Sequence, residues 1–225
     1  KTYQAPVGAD DPFMAGDTDL MAPRDCKRVD DSTVEITYEG PNHEHVVGRW
    51  QVQPGRRDAK FTATYQVTQA GDYSLAFCAA DPVTDGQPEF VLLPPEFRFQ
   101  CIHPTGFMVT SSATSQPLAL IQKAGAQGEH YCDLVTADPD RLPFQWSQNN
   151  NAKYGFSLRN AQNQVQPAVF QPVLGLPDSK FKAGQTLSTS CYVLTQPGTW
   201  ADALEYASQT IFHVTDYRQP WGCSL

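Results

Sequence analysis

Two histidines in the segment "NHEHVV" are the first residues whose spacing could support chemistry. His43 and His45 stand at positions i and i+2, so on a strand they would point the same way, and His-x-His pairs do occur in metal sites. The sequence nearby offers no identifiable third ligand, and a polar loop between strands explains the pair equally well. We therefore predict no metal at these histidines.

Two acidic segments offer the hard oxygen ligands that calcium prefers, residues 8–20 ("GADDPFMAGDTDL") and residues 137–143 ("ADPDRLP"). Neither segment matches the twelve-residue EF-hand loop. Solvated acidic turns are therefore the favoured interpretation. We expect no cofactor, with Ca²⁺ bound by one of these loops as the alternative.

Exposed aromatic rings could stack on sugars, and four aromatic residues are candidates for this role: Trp50, Trp146, Tyr154 and Trp221. Trp146 stands out because it lies in the polar segment "FQWSQNNN". We predict that Trp146 and Tyr154 contact carbohydrate. The alternative is that these large rings belong to the hydrophobic core, as most tryptophans do.

Motifs that carry a nucleophile or a metal-bound water are absent from the sequence. It contains no G-x-S-x-G, no H-E-x-x-H and no phosphate-binding glycine loop. Paired carboxylates for glycoside hydrolysis could be drawn from many acidic positions, and nothing selects two of them. No catalytic residue is predicted.

Composition narrows the class of protein. The chain has 225 residues, of which 40% are hydrophobic and 18% charged, as in a globular protein. A net charge of -8 argues against nucleic acid as a partner, and we interpret the densest basic group, residues 55–60, as a solvated turn. No apolar run reaches the ~18 residues of a membrane helix, so membrane insertion is not expected. The N-terminal segment lacks a hydrophobic signal core, which fits either a cytosolic protein or one whose signal peptide has been removed.

The six cysteines are widely spaced and form no C-x-x-C pair: Cys26, Cys78, Cys101, Cys132, Cys191 and Cys223. An even number of cysteines in a β-rich chain predicts disulfides formed in an oxidising compartment. Six cysteines allow about fifteen pairings, among which the sequence does not choose. Buried free thiols are the alternative.

Alternating hydrophobicity predicts an all-β fold, a large antiparallel β-sandwich over residues 26–197 that follows an N-terminal arm over residues 1–25. The clearest stretch predicts a hairpin around the turn "QAGD", with these residues on its buried faces: Phe61, Ala63, Tyr65, Val67, Tyr73, Leu75 and Phe77. Similar alternation predicts strands within residues 32–40, 117–140, 154–165 and 181–198.

A single helix is specified near the end of the chain, within residues 198–225. Thr199 and Asp202 have the spacing of a capping box, and an apolar stripe follows at helical spacing: Trp200, Ala203, Leu204, Ala207 and Ile211. The linker after the helix carries Tyr217, Arg218 and Trp221. We predict that these three residues and Trp200 dock on a domain that follows the chain.

Residues 154–225 resemble part of a known family. Lys182–Gly184 form a "K-A-G" turn before the last strand, a helix with Trp200 follows, and Asp216–Arg218 form an aromatic linker. This order is similar to the N-terminal β-sandwich module of secreted bacterial glycoside hydrolases that have a six-hairpin (α/α)-barrel catalytic domain. The resemblance implies that the catalytic carboxylates lie in that barrel, so no family catalytic residue falls on this chain.

From the pattern and the resemblance we predict a non-catalytic module of an extracytoplasmic carbohydrate-degrading enzyme. Its partners would be a downstream catalytic domain and a polysaccharide, and its location secreted, periplasmic or on the cell surface. One alternative is a free-standing extracellular module that binds a glycan or a protein. A second alternative is an enzyme whose site the sequence does not reveal.

Overall fold

A computed structural model describes residues 19–94, 96–99, 108–114, 116–142, 152–160 and 162–214. The strands in this part of the chain are β1 Ala22–Arg28, β2 Thr33–Glu39, β3 His45–Val52, β4 Asp58–Gln66, β5 Gly71–Asp72, β6 Leu75–Cys78, β7 Pro88–Leu93, β8 Glu96–Phe99, β9 Val109–Thr110, β10 Leu118–Ala124, β11 His130–Ala137, β12 Gly155–Arg159, β13 Val165–Gln171, β14 Lys180–Phe181 and β15 Thr186–Pro197. The α-helix α1 spans Trp200–Tyr206 and continues as a π-helical turn over Ala207–Ile211.

These strands form two stacked antiparallel sheets. The larger sheet has nine strands in the order β1-β2-β3-β4-β15-β11-β10-β7-β8, and the smaller has four in the order β6-β13-β12-β9. A two-stranded ribbon of β14 and β5 lies beside them. The all-β sandwich predicted from the sequence is confirmed, although β1 begins within the segment predicted as an arm.

The main core lies between the two sheets. Successive side chains of a strand point to opposite faces, so every second residue of β4 enters this core: Phe61, Ala63 and Tyr65. The smaller sheet contributes Phe156, Val165 and Val169 to the same cluster. Burial of alternate side chains from both sheets is what holds the sandwich together.

A second core covers the outer face of the larger sheet, where α1 packs. It contains Phe90, Leu118, Leu120, Leu134, Leu194, Ala203, Ala207 and Ile211. The Asp202 carboxylate accepts hydrogen bonds from the N–H and the hydroxyl of Thr199, both at 2.7 Å. The capped, amphipathic helix predicted from the sequence is therefore confirmed. No helix among the described residues is long and apolar enough to cross a membrane.

The hairpin predicted around "QAGD" is wrong. β4 pairs with β3 and β15 in the larger sheet, whereas β6 pairs with β13 in the smaller one. The chain crosses from one sheet to the other after Val67, and the buried Tyr73 donates a hydrogen bond to the Gln69 carbonyl oxygen at 2.9 Å. Alternation of hydrophobic residues indicates which face of the sheet a side chain occupies. It does not indicate which strand pairs with the one that carries it, so the hairpin did not follow from the alternation.

The disulfide prediction is not supported by the described cysteines, all of which are free thiols: Cys26, Cys78, Cys132 and Cys191. Cys132 and Cys191 lie in opposite cores, on the two faces of the larger sheet, so they cannot meet. Burial raises the pKa of Cys132 to about 12 and that of Cys191 further still. Cys101 and Cys223 lie outside the described residues.

The basic group over residues 55–60 is not the solvated turn predicted from the sequence. Arg56 donates two hydrogen bonds, at 2.9 and 2.8 Å, to the buried carboxylate of Asp58, which also accepts from the Tyr206 hydroxyl at 2.5 Å. Lys60 lies 2.7 Å from the buried carboxylate of Asp138. These charges are paired with buried acids because an unpaired carboxylate inside the protein would be strongly destabilising.

Candidate functional site

A cavity of about 430 Å³ lies between the two sheets, where the edge strand β6 faces β3 and β4. The Phe77 ring of β6 lies 4.6 Å from Phe61 and 5.3 Å from Trp50, measured between ring centroids. Strands β2, β3, β4 and β15 line one side, and β6, β12 and β13 line the other. Its volume lies in the range of small-molecule pockets, roughly 300–1,000 Å³.

Aromatic side chains make up much of the cavity wall: Tyr38, Phe61, Tyr65, Tyr73, Phe77 and Phe170. A glycine allows two of these rings to pack over β3. A Cβ atom at Gly48 would lie 2.7 Å from Tyr38 Cε2 and 2.8 Å from Phe61 Cε2, closer than atoms can pack.

Residues at the outer end of the cavity are exposed, namely Leu20, Ala76 and Gln162. A ligand would enter past them.

Two hydroxyl groups at the cavity have no protein partner. Tyr65 is only 5% exposed, and no group in the described part of the chain hydrogen-bonds its hydroxyl. The Ser74 Oγ has no partner either, and this oxygen is fully buried. Burying an unpaired polar group costs roughly 1–3 kcal/mol, so natural proteins normally satisfy such groups with protein, water or a ligand.

Two amide side chains of the cavity, on Asn160 and Gln166, are engaged around the β12–β13 loop. Asn160 Nδ2 donates to Gln164 Oε1 at 3.1 Å and to Gln166 Oε1 at 2.9 Å. Gln166 Nε2 donates in turn to the Ala80 carbonyl oxygen at 2.5 Å. These amides therefore shape the cavity wall, and their hydrogen-bonding groups are already used.

The charged groups of the cavity are mostly acidic or neutralised. Arg159, 3% exposed, donates to both carboxylate oxygens of Asp85 at 2.9 and 3.0 Å. Asp19 and Glu44 also line the cavity. Burial alone would raise the pKa of Glu44, but hydrogen bonds from its own N–H and from Asn42 lower it overall. The Glu44 side chain is therefore a carboxylate at neutral pH.

Tyr154, predicted as a carbohydrate contact, is fully buried in the core between the sheets. Its hydroxyl donates to the Ser190 carbonyl oxygen at 2.8 Å, and its ring is not presented at the surface. This residue is a structural one, which corrects the prediction. The other predicted carbohydrate contact, Trp146, lies outside the described residues.

Trp200, predicted to dock on a following domain, packs on its own domain. The Trp200 ring stacks on Phe90 with centroids 4.7 Å apart, and the Trp200 backbone N–H donates to Gln122 Oε1 at 2.8 Å. The other docking residues, Tyr217, Arg218 and Trp221, lie outside the described residues. Docking on a neighbour stays a prediction.

The histidine pair and the acidic loops take part in local contacts. His43 lies in a turn, with its Nδ1 2.6 Å from Glu39 Oε1, and His45 begins β3. In the second acidic loop, the Asp138 carboxylate accepts a hydrogen bond from Ser190 at 2.6 Å. Within the described ranges, no three His, Cys, Asp or Glu side chains are grouped to hold a metal ion. Most of the first acidic loop, residues 8–18, lies outside them.

The comparisons with known proteins do not identify the chain. No family model matches it, and no curated protein does. Among solved structures, one described as a "Putative aldose 1-epimerase" from Escherichia coli K12 is similar, with 10% identity and a TM-score of 0.43. The match covers 78% of this chain and 68% of that one. The described residues form a two-sheet β-sandwich with an inter-sheet cavity and an external helix.

Proposed function

We propose that the chain is a non-catalytic β-sandwich domain that binds a ligand in the inter-sheet cavity and serves an extracytoplasmic carbohydrate-degrading enzyme. The observation that carries this proposal is the pair of unpartnered hydroxyls, on Tyr65 and Ser74, at an aromatic cavity. A ligand that hydrogen-bonds Ser74 recovers the free energy lost by burying that hydroxyl without a partner. The cavity is thus suited to binding.

Acid–base catalysis is less well supported than binding. Glycoside hydrolysis uses one carboxylic acid whose pKa is raised, so that it can protonate the leaving group. Glu44 at the cavity has a lowered pKa, which is the opposite perturbation. The Arg159 charge, which could stabilise a developing anion, is occupied by Asp85.

The carbohydrate context rests on the resemblance of residues 154–225 to the glycoside hydrolase module. Lys182–Gly184 precede β15, and Gly184 has φ +85, as a tight turn before a strand requires. In the proposed arrangement, a downstream domain carries out hydrolysis, and this domain supports it and contacts polysaccharide. The extracytoplasmic location rests on the same resemblance, since the described cysteines do not form the disulfides that first indicated it.

The experiment uses p-nitrophenyl glycosides, which are hydrolase substrates and also carry an aromatic group. We expect resonances of cavity residues such as Ala76 and Ala168 to shift saturably in NMR spectra of the purified chain, with no release of p-nitrophenol. Turnover that co-purifies with the chain and is lost in Glu44→Gln would overturn the non-catalytic assignment. Absence of binding by every p-nitrophenyl glycoside would overturn the carbohydrate context of the binding.

A further inference from the structure

We propose that the cavity selects a ligand without negative charge that has an apolar, ring-sized body and one hydroxyl or carbonyl head, such as an aryl or acyl substituent on a saccharide, over a bare sugar or a carboxylate. This inference rests on the proposed ligand binding in the cavity. It specifies which part of a carbohydrate-derived compound would enter.

The apolar body follows from the walls. Six aromatic rings line the cavity, and apolar side chains such as Leu187 and Met21 extend the surface. A bare pyranose carries hydroxyls around its whole edge and needs several polar partners. Here the cavity amides of Asn160 and Gln166 are already hydrogen-bonded to each other and to backbone. A bare sugar would therefore leave most of its hydroxyls unpaired.

The single polar head follows from the two unpartnered hydroxyls. Tyr65 and Ser74 each carry an O–H that can donate and an oxygen that can accept, so either one can pair with a ligand hydroxyl or carbonyl. Tyr73 lies beside them, but its hydroxyl already donates to the Gln69 carbonyl oxygen. The polar part of the ligand would therefore lie near Tyr65 and Ser74, with its ring against the aromatic wall.

The absence of negative charge on the ligand follows from the acidic groups around the cavity. Glu44 is ionised at neutral pH and Asp19 lies nearby, so an anionic ligand would be repelled. Arg159 does not offset this, because Asp85 engages it in a bidentate pair.

Four compounds separate these features: naphthalene, 1-naphthol, 1-naphthoate and methyl β-glucoside. The first three share one ring system and differ only in the head group. We expect 1-naphthol to bind about 10-fold more tightly than naphthalene, the ratio that one satisfied hydrogen bond provides. The naphthoate and the glucoside should bind more weakly than 1-naphthol. Affinities are measured from NMR shifts of the cavity residues at pH 7.

A double variant, Tyr65→Phe with Ser74→Ala, tests the head group without removing the aromatic wall. We expect it to bind naphthalene and 1-naphthol equally well. Tyr73→Phe is the matched control, because it removes a hydroxyl that is already engaged and should keep the preference for 1-naphthol. An unchanged preference in the double variant would overturn the assigned head-group position.

The outcomes distinguish the ligand class from binding itself. If methyl β-glucoside or 1-naphthoate shifts the cavity resonances at lower concentration than 1-naphthol, the ligand class is wrong and ligand binding stands. If none of the four compounds and no p-nitrophenyl glycoside shifts them, the proposed binding function fails as well.

Discussion

Tyr65 and Tyr73 lie side by side at the cavity with ring centroids 5.8 Å apart, but only the Tyr73 hydroxyl has a protein partner. Tyr73 ties the crossover between the sheets to the Gln69 carbonyl oxygen. Tyr65 reaches the cavity from the opposite sheet with its hydroxyl unused. The same side chain therefore performs a structural role at one position and is available for binding at the other.

This difference predicts that Tyr→Phe substitution changes the stability of the protein differently at the two positions. Tyr73→Phe should lower the free energy of unfolding by about 1 kcal/mol, because it removes the hydrogen bond that the Tyr73 hydroxyl donates to the Gln69 carbonyl oxygen. Tyr65→Phe should leave stability unchanged or raise it slightly, since the removed hydroxyl has no partner. Urea unfolding of both variants measures the two effects. Equal destabilisation would show that Tyr65 has a structural partner.

Gly155 allows the closest approach within the smaller sheet. A Cβ atom at this position would lie 1.8 Å from Cε2 of Phe170 on the adjacent strand β13. We expect Gly155→Ala to destabilise the protein by about 1–3 kcal/mol or more, the usual cost of overpacking a core. Gly86→Ala is the control, because nothing lies within 4 Å of its Cβ and it should be nearly neutral. A double variant with Phe170→Leu should recover part of the loss; its failure to do so would argue against the steric cause.

The strands and helix could be predicted because their residue patterns are local. β4 shows its buried face through Phe61, Ala63 and Tyr65 at every second position, and α1 shows its stripe at helical spacing. The partner of β4 could not be predicted in this way. It pairs with β15, where Tyr65 faces Leu187, and nothing in either strand identifies the other. The local pattern alone therefore predicts a hairpin at the turn after β4.

The candidate site could not be predicted for a related reason. The alternation of hydrophobic residues predicts Tyr65 only as a core residue, and no pattern in the sequence points to Ser74. The cavity joins segments from Asp19 to Thr189 that become neighbours only when the two sheets stack. A side chain without a partner leaves no spacing pattern in a sequence. Conversely, Tyr154 is predicted as a carbohydrate contact, but it lies just before β12 and is buried between the sheets.

Gln196 has the least favourable environment of any described amide side chain. It is 2% exposed, and neither its Nε2 nor its Oε1 has a hydrogen-bond partner. Gln196→Leu should raise the free energy of unfolding by about 1–3 kcal/mol, the cost of burying an unpaired polar group. Gln171→Leu is the control, since the Gln171 Oε1 accepts from Thr189 and its loss should destabilise. Destabilisation by Gln196→Leu in chemical denaturation would indicate an unseen partner, such as a buried water.

The Lys60–Asp138 pair predicts a loss of stability in acid. Burial by itself raises the pKa of Asp138, but hydrogen bonds from Lys60 and Ser190 lower it overall, below that of an unfolded aspartate at about 3.9. A lowered folded-state pKa contributes stability above the unfolded value, and this contribution is lost as the pH falls through the folded value.

Asp138→Asn should therefore cost about 2 kcal/mol at pH 7 and show a flatter decline in stability below pH ~4. Asp140→Asn, with an 86% exposed carboxylate, is the control and should follow the wild-type profile. Parallel pH profiles for the Asp138 variant and the wild type would contradict the assignment.

The four described thiols should differ sharply in reactivity. Cys26 is exposed on the edge strand β1, whereas Cys132 and Cys191 are 0% and 3% exposed. Only the thiolate reacts with alkylating agents, and burial raises the pKa of Cys78 to about 11 and of Cys132 to about 12. We therefore expect iodoacetamide at pH 8, without reductant, to label Cys26 rapidly, the half-buried Cys78 more slowly, and Cys132 and Cys191 only after unfolding. Peptide mapping by mass spectrometry assigns each label, and Cys26→Ser should remove the fast phase at that peptide. A disulfide-linked peptide containing any of these four residues, or labelling of Cys191 as fast as Cys26, would contradict the arrangement of the two cores.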